Sequence, residues 1–279
     1  MGYKAGGGAK KRAAAGGRNM FAEIVISFLL QVVFTVVVIF LFGWLISLCN
    51  KKFYSNFGRY GRTVCYVTGI IGTPVHELSH ALFCIIFGHK ITDIKLFSVS
   101  SADGTLGYVN HSYNRRNFYQ CIGNFFIGVA PIVVISLLLY GLAKLLLPDF
   151  TAAVDALSFS EEARDFESLF SGIFAVIGSF FAGVVTWQWW VFLLIGIFLS
   201  LHMTLSGADI RNAVAGLVTL LALLLLADVV TGLVSPAALQ TFTRWVIGAG
   251  ACMLCFLTLA LAVSLLGVLF SYLVRLLRK

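Results

Sequence analysis

The chain has 279 residues, of which 59% are hydrophobic and only 11% charged, with a net charge of +8. Soluble domains carry about a quarter charged residues, so this composition excludes an ordinary soluble enzyme and predicts a polytopic membrane protein. Nucleic-acid binding is excluded as well, because the Lys and Arg residues cluster in short segments beside apolar runs, as loops between membrane spans do.

Residues 1–19, "MGYKAGGGAKKRAAAGGRN", are rich in Gly, Ala and Lys and predict a disordered basic tail. Residues 20–279 are read as one integral membrane domain. Its first apolar segment, 20–48, is too long for a signal-peptide core and lacks a small-residue cleavage site, so it is expected to remain as an anchor. A span needs about 20 apolar residues. On that measure spans fall near 20–48, 64–88, 118–147, 188–206, 212–234 and 245–274. The Gly-rich piece Leu169–Val185 is open between a span, a re-entrant hairpin and an interfacial segment, and Trp187, Trp189 and Trp190 after it suit a membrane–water boundary. The fold expected is all-α and polytopic, with about six transmembrane helices.

Loop charges orient this bundle. Residues 89–117 carry Lys90, Lys95, Arg115 and Arg116 against Asp93 and Asp103, whereas 148–168 carry Asp149, Asp155, Glu161, Glu162, Asp165 and Glu167 against Arg164 alone. The positive-inside rule then puts 89–117 and both termini in the cytoplasm, in the cell membrane; the basic loop 50–63 faces outward against that rule. The six cysteines lie in or beside apolar spans and read as buried thiols. Cys252 and Cys255 form a CxxC inside a continuous hydrophobic helix without partner ligands, which fits helix packing rather than metal or redox chemistry.

One stretch does not suit a lipid-facing helix: "GTPVHELSHALFCIIFGHKITDIKLF", Gly72–Phe97. Its HExxH puts His76 and His80 four residues apart, on one helical face, where two imidazoles share one zinc ion. Glu77 stands beside them to take a proton from water activated by the metal. Chance is a weak explanation in a chain with five histidines, and ionisable groups inside a span are costly and functional by default. Further on, Gly88 ends the helix and "ITDIKLF" alternates as a half-buried strand does. "SADGT" holds an Asp-Gly turn signal.

His76-Glu77-x-x-His80 followed by Ala81, an apolar half-helix, Gly88, "KITDIKLF" and "LGYV" at Leu106–Val109 resembles the site-2 protease family of intramembrane zinc metallopeptidases. The resemblance covers roughly 65–135 and elsewhere extends to hydropathy alone. It implies a small membrane-associated β-sheet after the HExxH helix, whose edge takes a substrate segment as an added strand. It also implies a third zinc ligand, an Asp from a later span. The family's motif, resembling Asn-Pro-x-x-Pro-Leu-Asp-Gly, is missing; the nearest candidate is Asp209 in "LHMTLSGADIRNAVAG", where Ser206 and Gly207 break the helix. Alternatives stay open. Asp209 also suits a plain helix cap. His202 is a rival ligand, or a supporting residue near the ion or the oxyanion. Asp228 is a lone carboxylate in an apolar run, and Glu161 with Asp165 repeats the ExxxD of CAAX-type prenyl-protein peptidases. Asn124, ahead of Pro131, is a candidate for binding substrate backbone or the oxyanion. His89 suits a helix C-terminus and His111 an exposed loop; neither joins the metal set.

The function expected is an intramembrane zinc endopeptidase with one Zn2+ ion, acting on a membrane-protein or peptide substrate in the bilayer, with room for an accessory membrane partner. Two other classes are a catalytically inactive relative that binds or escorts membrane proteins, and a zinc transporter, although no internal repeat supports transport.

Overall fold

The computed structural model describes residues 20–99, 105–159 and 166–277. The basic tail, the Asp-Gly turn, and Glu161 and Asp165 lie outside the described residues, as do the side chains of Cys252 and Cys255.

Long apolar runs fold as helices because only a helix satisfies every backbone group of a single segment without water. The helices are α1 (Met20–Asn56, with a π-turn at Val33–Val37), α2 (Gly61–Ile86), α3 (Phe118–Leu146), α4 (Pro148–Phe159), α5 (Phe166–Ala182), α6 (Trp187–Leu201), α7 (Gly207–Val234) and α8 (Pro236–Leu277). Five of them are long and apolar enough to cross a membrane. The Gly-rich piece Phe174–Val185 and α6 meet at an angle of 110° and make a sixth crossing only if counted as one bent span. Thr186, whose side chain accepts from Trp189 N, caps α6 at this bend. The span expected over 188–206 stops at Leu201, since 202–206 is a non-helical turn.

That turn is partly covered, with Met203 fully buried, and its neighbours satisfy backbone groups beside it. Asn50 of α1 donates from Nδ2 to the carbonyls of Ser200 (2.9 Å) and Leu201 (3.0 Å) at the end of α6. Below it, α7 opens on a capping box: Ser206 Oγ accepts from Asp209 N, and Asp209 Oδ2 accepts from Ser206 N at 2.7 Å. Helix α3 runs through the core, with Val129, Ile132, Ile135 and Leu139 buried against Ile46, Met203 and Leu257. It also approaches α7 at backbone distance. A methyl group on Gly216 would strike the backbone of Phe125, and one on Gly128 would strike the Asp209 carbonyl. Small residues permit such contact between helices in lipid.

Helices α1 and α8 run in the same direction, with Phe34 against Gly250, Phe53 against Gly267 and Asn56 Nδ2 donating to Ser271 Oγ. Met20 and Leu277 therefore lie at opposite ends of the bundle.

The motif helix α2 ends where Gly88 turns to φ 68° and His89 N bonds back to Cys84 O. A two-stranded antiparallel sheet follows, β1 (Lys90–Lys95) with β2 (Tyr108–Ser112), in the register Ile94↔Val109 and Lys95↔Tyr108, with a bulge between Ile91 and Asp93. The alternation of "ITDIKLF" does not yield a buried face, and Ile94 is 41% exposed. A lone hairpin has no layer on either side; it meets α2 instead through Phe97, Leu106 and Gly107.

Candidate metal centre

On α2 the four-residue spacing stacks His76 and His80 with ring centroids 4.9 Å apart and Nε2 atoms 3.2 Å apart. Asp209, from the first turn of α7, places Oδ1 3.1 Å from His80 Nε2 and Oδ2 3.8 Å from His76 Nε2. His80 and Asp209 are buried and His76 is nearly so. Among the described residues this is the group of His, Cys, Asp and Glu side chains able to share an ion.

The other ring nitrogens fix which way the lone pairs point. His76 Nδ1 donates to the His202 carbonyl and His80 Nδ1 to the Ile127 carbonyl, both at 2.7 Å. A carbonyl only accepts, so each Nδ1 carries a hydrogen, and in its neutral form each ring turns an Nε2 lone pair inward. Two lone pairs facing each other at 3.2 Å, with a carboxylate beside them, repel unless a cation lies between. Tetrahedral bonds of about 2.0–2.1 Å separate neighbouring donors by roughly 3.3 Å, close to the 3.2 and 3.1 Å found here. The donor set fits a divalent ion with three protein ligands and an open position.

Asp209 is thus placed for both roles that the sequence left open. Its Oδ2 closes the capping box while its Oδ1 faces His80, and the N-terminus of α7 favours the negative charge. Glu77 is 7% exposed and lies next to His76, covered by the hairpin at Gly107.

The remaining candidates are not brought to this centre. His202 is no ligand: its Nε2 faces Thr68 Oγ1 (3.0 Å) and Tyr54 Oη (3.4 Å), its Nδ1 faces Thr73 Oγ1 (3.3 Å), and its ring lies on Gly72. It supports the site through its carbonyl. Asn124 is buried and its Nδ2 donates to Cys121 O of its own helix at 3.4 Å, rather than toward the metal ligands. Asp228 accepts from Gln31 Nε2 at 2.7 Å, in a separate cluster that joins α1, α7 and Thr243 of α8. His111 is not an exposed loop residue. It sits on β2 with Nδ1 3.0 Å from His89 Nδ1, while His89 Nε2 donates to Gln120 O. The bracing carbonyls of Ile127 and His202, and the contact of Gly107 with Glu77, escaped the sequence reading, since backbone groups leave no mark on residue type and a close approach is invisible before folding.

No family model, curated protein or solved structure matches the chain.

Proposed function

We propose that this chain is an intramembrane zinc endopeptidase, similar to the site-2 proteases, which hydrolyses peptide bonds in or next to transmembrane segments of membrane proteins. The observation that carries the reading is the convergence of His76 Nε2, His80 Nε2 and an Asp209 oxygen, with Glu77 one residue from His76 on the same helix. Two imidazoles and a carboxylate suit zinc. A zinc ion there supplies Lewis acidity and lets water react as hydroxide near neutral pH.

His76 and His80, their Nδ1 atoms engaged by carbonyl partners, present Nε2 as fixed donors. Asp209 adds the compensating charge. Glu77 takes one proton from the attacking water, whose oxygen bonds to the scissile carbonyl carbon. Glu77 then returns that proton to the nitrogen as the C–N bond breaks, leaving a carboxylic acid and an amine. The substrate is a membrane protein or peptide reaching the site from the bilayer of the cell membrane, alone or with an accessory partner.

Glu77→Gln tests this directly. The variant keeps bound zinc and loses cleavage of a single-span substrate by at least about a hundredfold, as loss of a general base does. Unchanged cleavage would falsify Glu77 as the base, and a natural chain that binds zinc but cleaves nothing would leave a metal-dependent escort or transporter.

A further inference from the structure

The hairpin reaches the proposed base, Glu77, more closely than an added strand requires. Built onto Gly107, a methyl group would stand 2.7 Å from Glu77 Cγ, 2.9 Å from Thr73 Cγ2 and 2.9 Å from the Lys95 carbonyl. Side chains essentially never approach so closely, so the bare backbone of Gly107 lies directly on the stem of Glu77.

This backbone is not free to retreat. On one side of Gly107, Leu106 O accepts from Ser98 N at 2.6 Å; on the other, Tyr108 pairs with Lys95. Tyr108 Oη also donates to Asp93 Oδ2 at 2.8 Å across the strands. Leu106 and Phe97 pack over Gly69, two turns before Glu77 on α2. Farther along β2, His111 links to His89 and faces Asn212 of α7, the helix that carries Asp209. The hairpin is thereby fastened both to the helix of the base and to the helix of the third ligand.

We infer that Gly107 is a positioning residue for Glu77: the hairpin clamps the base against α2 and fixes its carboxylate relative to the metal ligands. This rests on the peptidase reading above. A carboxylate has several staggered arrangements of its stem, and general-base catalysis needs one of them; a misplacement of about 1 Å costs on the order of a hundredfold in rate. The close contact at Gly107 removes the alternatives, which no hydrogen bond to the stem can do.

The test uses the full chain in detergent and a pooled library of single-span peptides, with products counted by mass spectrometry and kinetics taken on the best-cleaved member. Gly107→Ala is expected to lower kcat about tenfold to a hundredfold while KM and zinc content stay near those of the natural chain. Adding Thr73→Ser removes the crowding Cγ2 but keeps the hydroxyl that faces His202, and recovers part of the lost kcat. Leu106→Ala loosens the same clamp without adding bulk and also lowers kcat; it decides the matter if Gly107→Ala does not accumulate. Full kcat in Gly107→Ala, or full kcat in Leu106→Ala, overturns the inference while the inactivity of Glu77→Gln still upholds the peptidase. Loss of zinc along with activity in Gly107→Ala overturns it too, since the glycine then serves the metal site and not the base. If the natural chain cleaves nothing in the pool, the peptidase reading fails and takes this inference with it.

Discussion

His76 Nδ1 donates to the carbonyl of His202, 126 residues along the chain, at 2.7 Å. The carbonyl is available because α6 stops one residue earlier, and the His202 ring locks the turn in place through Thr68 and Thr73. A helix break thus supplies the hydrogen-bond acceptor that sets the tautomer of His76, a candidate metal ligand. His202→Ala leaves all three ligands intact but frees the turn that presents this carbonyl. Partners of ligating histidines are worth about 10–100-fold in metal affinity, so zinc should bind more weakly by that factor, read by competition with a chelator. Wild-type affinity in the variant would show that the turn holds its shape without the ring.

Asp209 caps α7 and is proposed as a ligand, and the two roles separate by substitution. Ser206→Ala removes the capping hydroxyl and should cost about 1 kcal/mol of stability, with zinc retained. Asp209→Asn keeps an oxygen for the Ser206 N–H but loses the negative charge facing His80, so zinc affinity falls while the melting temperature of the metal-free chain shifts little. Equal zinc content in Asp209→Asn and the natural chain would demote Asp209 to a cap.

The difference between these two ligand types explains what the sequence disclosed. His76 and His80 lie within one helical turn, so their meeting is a local fact written in the spacing. Asp209 lies 129 positions beyond His80, a separation taken from the residue numbers, and its arrival depends on the α3–α7 contact at Gly128 and Gly216. Residue type and a helix-breaking Ser-Gly pointed to it, but the same signals suited a cap. His202 was ambiguous for a similar reason: a histidine near a metal site looks like a ligand until its ring is seen bonded elsewhere. The hairpin after Gly88 was visible as alternation, whereas its lack of a buried face was not, because pattern alone does not say what covers a strand. The count of about six spans holds as five or six, depending on whether the bent α5–α6 piece is one crossing, since hydropathy measures apolar length and not direction.

Gly128 offers a test of that long-range contact. A methyl group there would meet Ala213 Cβ at 2.7 Å as well as the Asp209 carbonyl, so Gly128→Ala must push α7 away from α3. Overpacking of this kind costs about 1–3 kcal/mol. The displacement also carries Asp209 from the two histidines, so zinc affinity and melting temperature should fall together. Gly141, where a methyl group meets nothing within 4 Å, is the control, and Gly141→Ala should leave both unchanged. A Gly128→Ala chain with normal zinc affinity would mean that α7 is held in place by contacts other than this one.

The pair His89–His111 lies outside the spans and predicts a pH dependence of stability. The Gln120 carbonyl fixes the hydrogen of His89 on Nε2, so His89 Nδ1 accepts from His111 Nδ1, and His111 Nε2 is left to accept from Asn212 Nδ2 at 3.5 Å. Both rings are neutral in this chain of bonds, and protonating either one places hydrogens against hydrogens. Burial lowers the pKa of His111 to about 4, helped by the charges of His89 and then His80, and burial also lowers that of His89. The groups facing the pair are Tyr113, Gln120 and Asn212, none of which supplies a negative charge. Unfolded histidine titrates near about 6.5, so between that value and about 4 the unfolded chain binds more protons than the folded one. Stability should therefore be constant above the upper limit, fall as pH drops through this window, and level off below it. Melting temperatures in detergent across the window, compared with His111→Phe, read the effect: the natural chain loses stability toward low pH and the variant loses distinctly less. Parallel curves for the two proteins would place the acid sensitivity elsewhere and deny the pair a role in holding β2 to α7.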